Sequence, residues 1–127
     1  MQENWPIYFK DRLTISNLKS TAAIACLWTP KEAIENLVPA ENYSILGQLY
    51  TKKGINYLIR NILANPSINT IYLCGNDLME SGEAFIKLMR DGITDDYKVV
   101  GDDTAEIETE ITTLAIERFR KNIKLVD

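Results

Sequence analysis

There is no histidine anywhere in these 127 residues. The usual general base and the commonest imidazole metal ligand are therefore missing. No Ser/His/Asp or Cys/His arrangement is possible. Cysteine is scarce. Cys26 and Cys74 each sit inside an apolar, strand-like run and read as buried free thiols, since cysteine packs as a small hydrophobe. Without a secretory signal no structural disulfide is expected. A nucleophilic Cys74 at the end of its strand would need an activating base other than histidine. Positive charge is short, with 14 Lys and Arg against 18 Asp and Glu, a net charge of -4 and a pI near 4.9. Sequence-independent nucleic-acid binding needs a basic face and is not expected, although Lys52 and Lys53 form a local basic patch. No apolar run approaches the roughly 20 residues of a membrane-spanning helix. The start Met1-Gln2-Glu3-Asn4 carries no basic region. These absences predict a cytoplasmic protein with neither a nucleic-acid nor a membrane partner, and they leave its oligomeric state open.

What is present is ordinary for a globular chain, 46% hydrophobic and 25% charged. The length suits one domain over residues 1–127, with 1–20 a possible N-terminal extension in which Ile7-Tyr8-Phe9 reads as a short strand behind a Trp5-Pro6 lid. Residues 22–28 form a near-continuous apolar run, the pattern of a strand buried on both faces. Thr29 caps a short helix at Pro30, with Glu32 completing a capping box. Residues 43–46 read as the next strand. Residues 54–65 are the best helix, with Ile55, Leu58, Ile59, Ile62 and Leu63 on one face and Asn65-Pro66 as the stop. A strand over 68–75 follows, then a helix capped by Ser81, with Phe85, Leu88 and Met89 inward and Gly92 as its end. Residues 97–100 read as a short strand and Gly101-Asp102-Asp103-Thr104 as a turn. Thr112 or Thr113 caps a last helix to about Lys121, and 123–126 alternate as a final strand. Strand and helix alternate throughout. The expected fold is α/β, a Rossmann-like three-layer sandwich with a mostly parallel sheet, in which the runs at 22–28, 43–46 and 69–74 lie side by side.

Turns that follow parallel strands share one sheet edge, where ligands bind. The turn at 47–54 carries two glycines, Tyr50, Thr51, Lys52 and Lys53. Its amides and lysines suit an anion; a solvated turn accounts for the glycines equally well. It lacks both the Gly-Lys-Ser/Thr ending of a P-loop and the G-x-G-x-x-G fingerprint. The turn at 75–82 carries Asn76, Asp77, Glu80 and Ser81. Asp77 and Glu80 alone are too few for a hard cation, so no metal site is expected. Ser81 reads as a cap, whereas Asn76 and Asp77 read as ligand-facing. The candidate ligand edge is Trp28, Thr29, Gly47, Gln48, Tyr50, Thr51, Gly75, Asn76, Asp77 and Ser81, with Tyr50 and Asp77 bordering one cleft. Arg60 reads as exposed or ion-paired. Asp102, Asp103, Glu106, Glu108 and Glu110 read as a solvated acidic surface, and Ile116, Phe119 and Ile123 as core or interface. No catalytic residue is assigned, and activity of the chain on its own is not expected.

Asn65-Pro66, Ile71-Tyr72-Leu73-Cys74-Gly75, Gly82 and the ending over 116–127 resemble the A subunit of tetrahydromethanopterin S-methyltransferase. Leu27-Trp28-Thr29, Gly47-Gln48-Leu49-Tyr50, Arg60-Asn61, Gly75-Asn76-Asp77-Leu78 and Ser81-Gly82-Glu83 look more like a related N-terminal domain of archaeal-type thymidylate synthase-like proteins. The resemblance spans about residues 20–127. It implies a Rossmann-like fold. For the methyltransferase it also implies a cobamide whose lower cobalt ligand is a histidine in the loop after the Cys-Gly strand. Here that loop is shorter and has no histidine. Its one soft donor, Met79, is expected to pack against a helix. The resemblance thus implies a non-catalytic ligand-binding or accessory domain of one-carbon, pterin and thymidylate metabolism, with a small-molecule ligand and a thymidylate synthase-like partner domain. The alternatives are a cobamide-binding methyl carrier without the histidine, which that absence disfavours, and a protein-interaction domain.

Overall fold

The computed structural model describes residues 4–127. Strands and helices run β1 (Thr14–Ile15), β2 (Ala22–Ala25), α1 (Lys31–Glu35), β3 (Ile45–Gly47), α2 (Gly54–Leu63), β4 (Thr70–Leu73), α3 (Ser81–Asp91), β5 (Lys98–Val99), β6 (Asp102–Glu106), α4 (Thr113–Asn122) and β7 (Lys124–Val126). The main sheet has the order β1-β3-β2-β4-β7. Strands β3, β2, β4 and β7 are parallel to their neighbours, and β1 joins β3 antiparallel at the edge. The fold is therefore α/β with a mixed, mostly parallel sheet. The three apolar runs lie side by side, as their composition predicts.

The sheet's two faces are unequal. Ala23, Ala25, Ile45, Ile71 and Leu73 point into the main core, which the apolar faces of α2, α3 and α4 complete. Ile55 and Ile59 of α2 are fully buried, and each such side chain contributes about 1.5–3 kcal/mol. Phe85 of α3 meets Phe119 of α4 with ring centroids 6.2 Å apart. The stripe Ile116, Phe119 and Ile123 is core. On the other face Cys26, Tyr43 and Leu46 form a small cluster under Ile34 and Val38, and Tyr72 is left exposed.

Several local expectations are corrected. Thr29 does not cap α1, which has no side-chain cap; its hydroxyl is used elsewhere, as shown below. Thr112 does cap α4, accepting from the Ala115 amide at 3.1 Å. Gly92 ends α3 with φ of +83°. Of the turn expected at 101–104 only Gly101 lies in a turn; Asp102–Thr104 open β6, which pairs antiparallel with β5 in a separate two-stranded sheet. Buried Ala105 and Ile107 anchor it despite its acidic, strand-poor composition. Ile7-Tyr8-Phe9 is not a strand; bends and a left-handed Phe9 occupy that stretch. Trp5 is buried and donates its indole N–H to the Asn61 carbonyl at 2.6 Å. Residues 1–3 of the expected extension lie outside the described part.

Candidate functional site

The loops after β2, β3 and β4 meet at one end of the sheet and are fastened to one another. The Trp28 amide donates to the Asn76 carbonyl at 3.0 Å, and the Asn76 amide donates to the Thr29 hydroxyl at 3.0 Å. The Trp28 indole donates to the Tyr50 carbonyl at 3.0 Å, and the two rings meet edge to face at 4.8 Å. Gln48 reaches the Leu27 carbonyl at 3.3 Å. Ser81, fully buried, donates to the Leu49 carbonyl at 2.7 Å. The turns after Leu46 and Cys74 thus share one end of the sheet, as a parallel arrangement requires.

This changes the parts played by individual residues. Ser81 does not cap α3; it ties α3 to the loop after β3. The cap is Asp77, whose carboxylate accepts from the Gly82 amide at 3.1 Å and the Glu83 amide at 2.9 Å. Both oxygens of Asp77 are engaged in holding the helix start. Gly75 has φ of +89°, and a Cβ there would lie 2.3 Å from the Cys26 carbonyl oxygen. Only glycine lets the loop after β4 approach β2 so closely. Gly47 serves a different need: a Cβ would meet the Leu13 side chain at 2.3 Å.

Gly47, Gln48, Tyr50 and Thr51 line a cavity of about 740 Å³ between β2, β3 and α2. Trp28, Thr29, Gly75, Asn76, Asp77 and Ser81 are not among its lining residues. Tyr50 and Asp77 therefore do not share that cavity. The ten candidate residues divide into a fastened group and a cavity-lining group, with the Trp28–Tyr50 contact as the join.

Charges nearby follow the same division. Lys52 pairs with Asp102 at 2.7 Å and also donates to Thr104. The Lys52 hydrogen bond to Asp102, with a second from Thr104, holds the Asp102 carboxyl down to about 2. Asp102 is thus not simply solvated acidic surface. Glu106 pairs with Lys98 at 2.9 Å, and Glu108 pairs with Arg60 at 2.6 Å. Burial pushes the Cys26 thiol up to about 12, with the neighbouring Cys74 adding to the rise, and burial also raises Cys74. Both cysteines are free and stay protonated near neutral pH. Neither is set up as a nucleophile. Among the described residues no cluster of His, Cys, Asp and Glu suits a metal ion.

Sequence reading gave no role to two residues that shape the site, Asn56 and Asn61 of α2. Both are buried. Asn61 accepts from the Ile7 and Tyr8 amides at 2.9 Å and donates to the Tyr8 carbonyl at 3.0 Å. Asn56 accepts from the Glu108 amide at 2.8 Å and donates to the Glu106 carbonyl at 3.2 Å. The available signal was an asparagine placed among isoleucines on a strongly apolar helix, which demands buried partners.

Residues 1–127 match the family of the A subunit of tetrahydromethanopterin S-methyltransferase. The chain belongs to this family. Among curated relatives, the A subunit (form 2) of the tetrahydromethanopterin S-methyltransferase of Methanobrevibacter ruminantium is 29% identical over 130 aligned positions, covering 98% of this chain and 65% of the relative. The A subunit of the Methanocaldococcus jannaschii enzyme is 28% identical over 123 positions, covering 94% of this chain and 50% of the relative. The A subunit (form 1) of the Methanothermobacter marburgensis enzyme is 27% identical, with 98% and 53% covered. The chain thus spans between half and two thirds of the length of these family members.

Family membership corrects several expectations. The likeness to the thymidylate synthase-associated domain is not carried by these matches, and the assignment to thymidylate metabolism falls with it, as does the thymidylate synthase-like partner. The accessory-domain reading and its two alternatives, the histidine-free cobamide carrier and the interaction domain, give way to a family of methyltransferase subunits. The cytoplasmic assignment and the exclusion of a membrane partner are withdrawn as well. Among the described residues no helix is long and apolar enough to cross a membrane. The relatives, however, are named as subunits, and the location of a subunit follows its assembly rather than its own hydropathy.

The cobamide implied by the family resemblance can be tested against the donor set. The loop over 74–80 presents no imidazole, because the chain has none. Met79 is 55% exposed rather than packed against a helix, and Leu78 beside it is 67% exposed. Asp77 is engaged by α3. A cobamide held through histidine does not fit these residues, and no step is derived through it.

Proposed function

We propose that this chain works as an A-type component of methyl transfer from tetrahydromethanopterin to a sulfur acceptor, the reaction for which its relatives are named. The observation that carries this reading is the family match over the whole of residues 1–127, including all three loops of the fastened edge. We read the sheet and its helices as a Rossmann-like three-layer arrangement; the parallel order β3-β2-β4-β7, with α1 on one face and three helices on the other, supports it. In this reading the edge residues divide by task. Trp28, Tyr50, Thr51 and Asn76 are exposed and face the reacting partners, with Gln48 beside them. Gly47, Gly75, Thr29, Asp77 and Ser81 hold that surface in shape. A surface fixed by its own hydrogen bonds loses little freedom on binding, which favours transfer between large partners.

Reconstitution tests the proposal. The chain is added to a tetrahydromethanopterin S-methyltransferase preparation lacking its A subunit, and methylated thiol is measured. Methyl transfer rises above the background and falls roughly tenfold in Trp28→Ala, as loss of a central aromatic anchor entails. A rate that stays at background, with no co-elution of the chain and the other subunits, overturns the reading.

A further inference from the structure

The cavity between the sheet and α2 has a cause in the sequence. Ala23, Ala25 and Gly47 put almost no side chain on its floor. Leu13 lies over Gly47, and Phe9 packs edge to face on Tyr57 of α2 with centroids 5.0 Å apart. The segment held by Asn61 thus forms one wall of the space rather than filling it. The volume, about 740 Å³, is in the range that takes a small organic molecule.

Charge says which kind. Arg12, Lys31 and Lys53 all line this cavity. The ion pairs among the described residues engage Lys52, Arg60, Lys87, Arg90, Lys98 and Arg120 instead. Arg12 stacks over Phe9 at 5.5 Å, and Lys31 reaches only the Thr14 hydroxyl, at 3.1 Å. Asp11 and Glu32 also line the cavity, so cations outnumber carboxylates there. In a chain of net charge -4, a local excess of unpaired cations around an apolar hollow selects for negative charge. The first amides of α2 are already bonded within the preceding turn, so the side chains carry this selectivity.

We infer that this cavity binds a small organic anion, its apolar or aromatic body over Ala23 and Ala25 beside Leu13 and its carboxylate, sulfonate or phosphate among Arg12, Lys31 and Lys53. The inference stands or falls apart from the methyl-transfer reading, since it needs no other component.

Two dyes of like body and different charge test it on the isolated chain. These are 8-anilinonaphthalene-1-sulfonate and neutral N-phenyl-1-naphthylamine, followed by fluorescence. The sulfonate binds saturably at one site per chain, about tenfold tighter than the neutral dye, a difference that shrinks with salt. The double variant Arg12→Gln, Lys53→Gln removes that preference and leaves the neutral dye unchanged. Both side chains are exposed, so the variant keeps the fold. In Ala25→Leu, which fills the floor, both dyes are lost while the circular dichroism spectrum stays that of the parent; should this variant unfold, the charge variant decides. Equal affinity for the two dyes, unsaturable adsorption, or a sulfonate preference that survives the double variant overturns the inference.

Discussion

The two sides of β2 show opposite solutions at the same sheet edge. Toward β4, the loops are sewn together: Trp28 to Asn76, Asn76 to Thr29, and Gly75 pressed against Cys26. Toward β3, Gln48 and the Trp28 indole also tie the loops, but small residues beneath them leave a hollow with unpaired cations beside it. Counting only parallel strands, the chain order across the sheet reverses between β2 and β4, where an open α/β sheet ordinarily keeps its crevice. Here that crevice is closed by the Trp28–Asn76 backbone bond and the Asn76–Thr29 bond, and the open volume lies one strand away. Topology alone therefore points to the closed side of β2; the open volume lies beside glycine and alanine positions on the other.

The sharpest way to break the contrast is at Gly75. A side chain there meets both a positive φ and a backbone oxygen that cannot yield. Gly75→Val lowers stability by about 3 kcal/mol or more, measured by urea unfolding, since strain and overpacking act together. A change below about 1 kcal/mol would show that the two loops separate freely. The next effect belongs to the hollow side. Asn61→Ala removes three hydrogen bonds that hold residues 7 and 8. It costs about 2 kcal/mol and speeds amide exchange at Ile7 and Tyr8 while Asn76 stays protected. Equal loss of protection at Asn76 would join the two sides into one unit.

Much of this architecture was legible in the chain. Apolar runs without alternation gave the parallel strands, and the isoleucine face of α2 gave its packing. The division of the edge was not legible, because it depends on which of several competent groups finds which partner. Thr29, Asp77 and Ser81 all suit a helix cap by residue type. Only the fold decides that Asp77 reaches α3 while Ser81 turns to Leu49 and Thr29 to Asn76. Strand β6 escaped for the opposite reason: its local composition argues against a strand, and burial of Ala105 and Ile107 overrides it. The cavity left a fainter trace. Small residues on β2 and β3 read as ordinary strand positions until Leu13 and Tyr57 show what they leave open.

The smallest expected effect separates two adjacent lysines. Lys52 is fastened to Asp102, and Lys53 has no ion pair among the described residues. Lys52→Gln therefore lowers stability at pH 7 by about 0.5–1 kcal/mol, the scale of a well-formed surface pair, while Lys53→Gln leaves it unchanged. Acid gives the check. Lys52, helped by Thr104, holds the folded Asp102 carboxyl at about 2, against an ordinary value of 3.8. A depressed carboxyl contributes its full stability above the unfolded value and loses it as pH falls through the folded one. The gap between parent and Lys52→Gln thus narrows from about pH 4 to about pH 2 and closes below it. The same pair raises Lys52 above 10.5, so the gap also narrows in strong alkali. Urea unfolding of the three proteins at pH 7 and across the acid range reads both halves. A gap that persists unchanged to pH 2 would assign the loss to the aliphatic stem of Lys52 rather than to its charge.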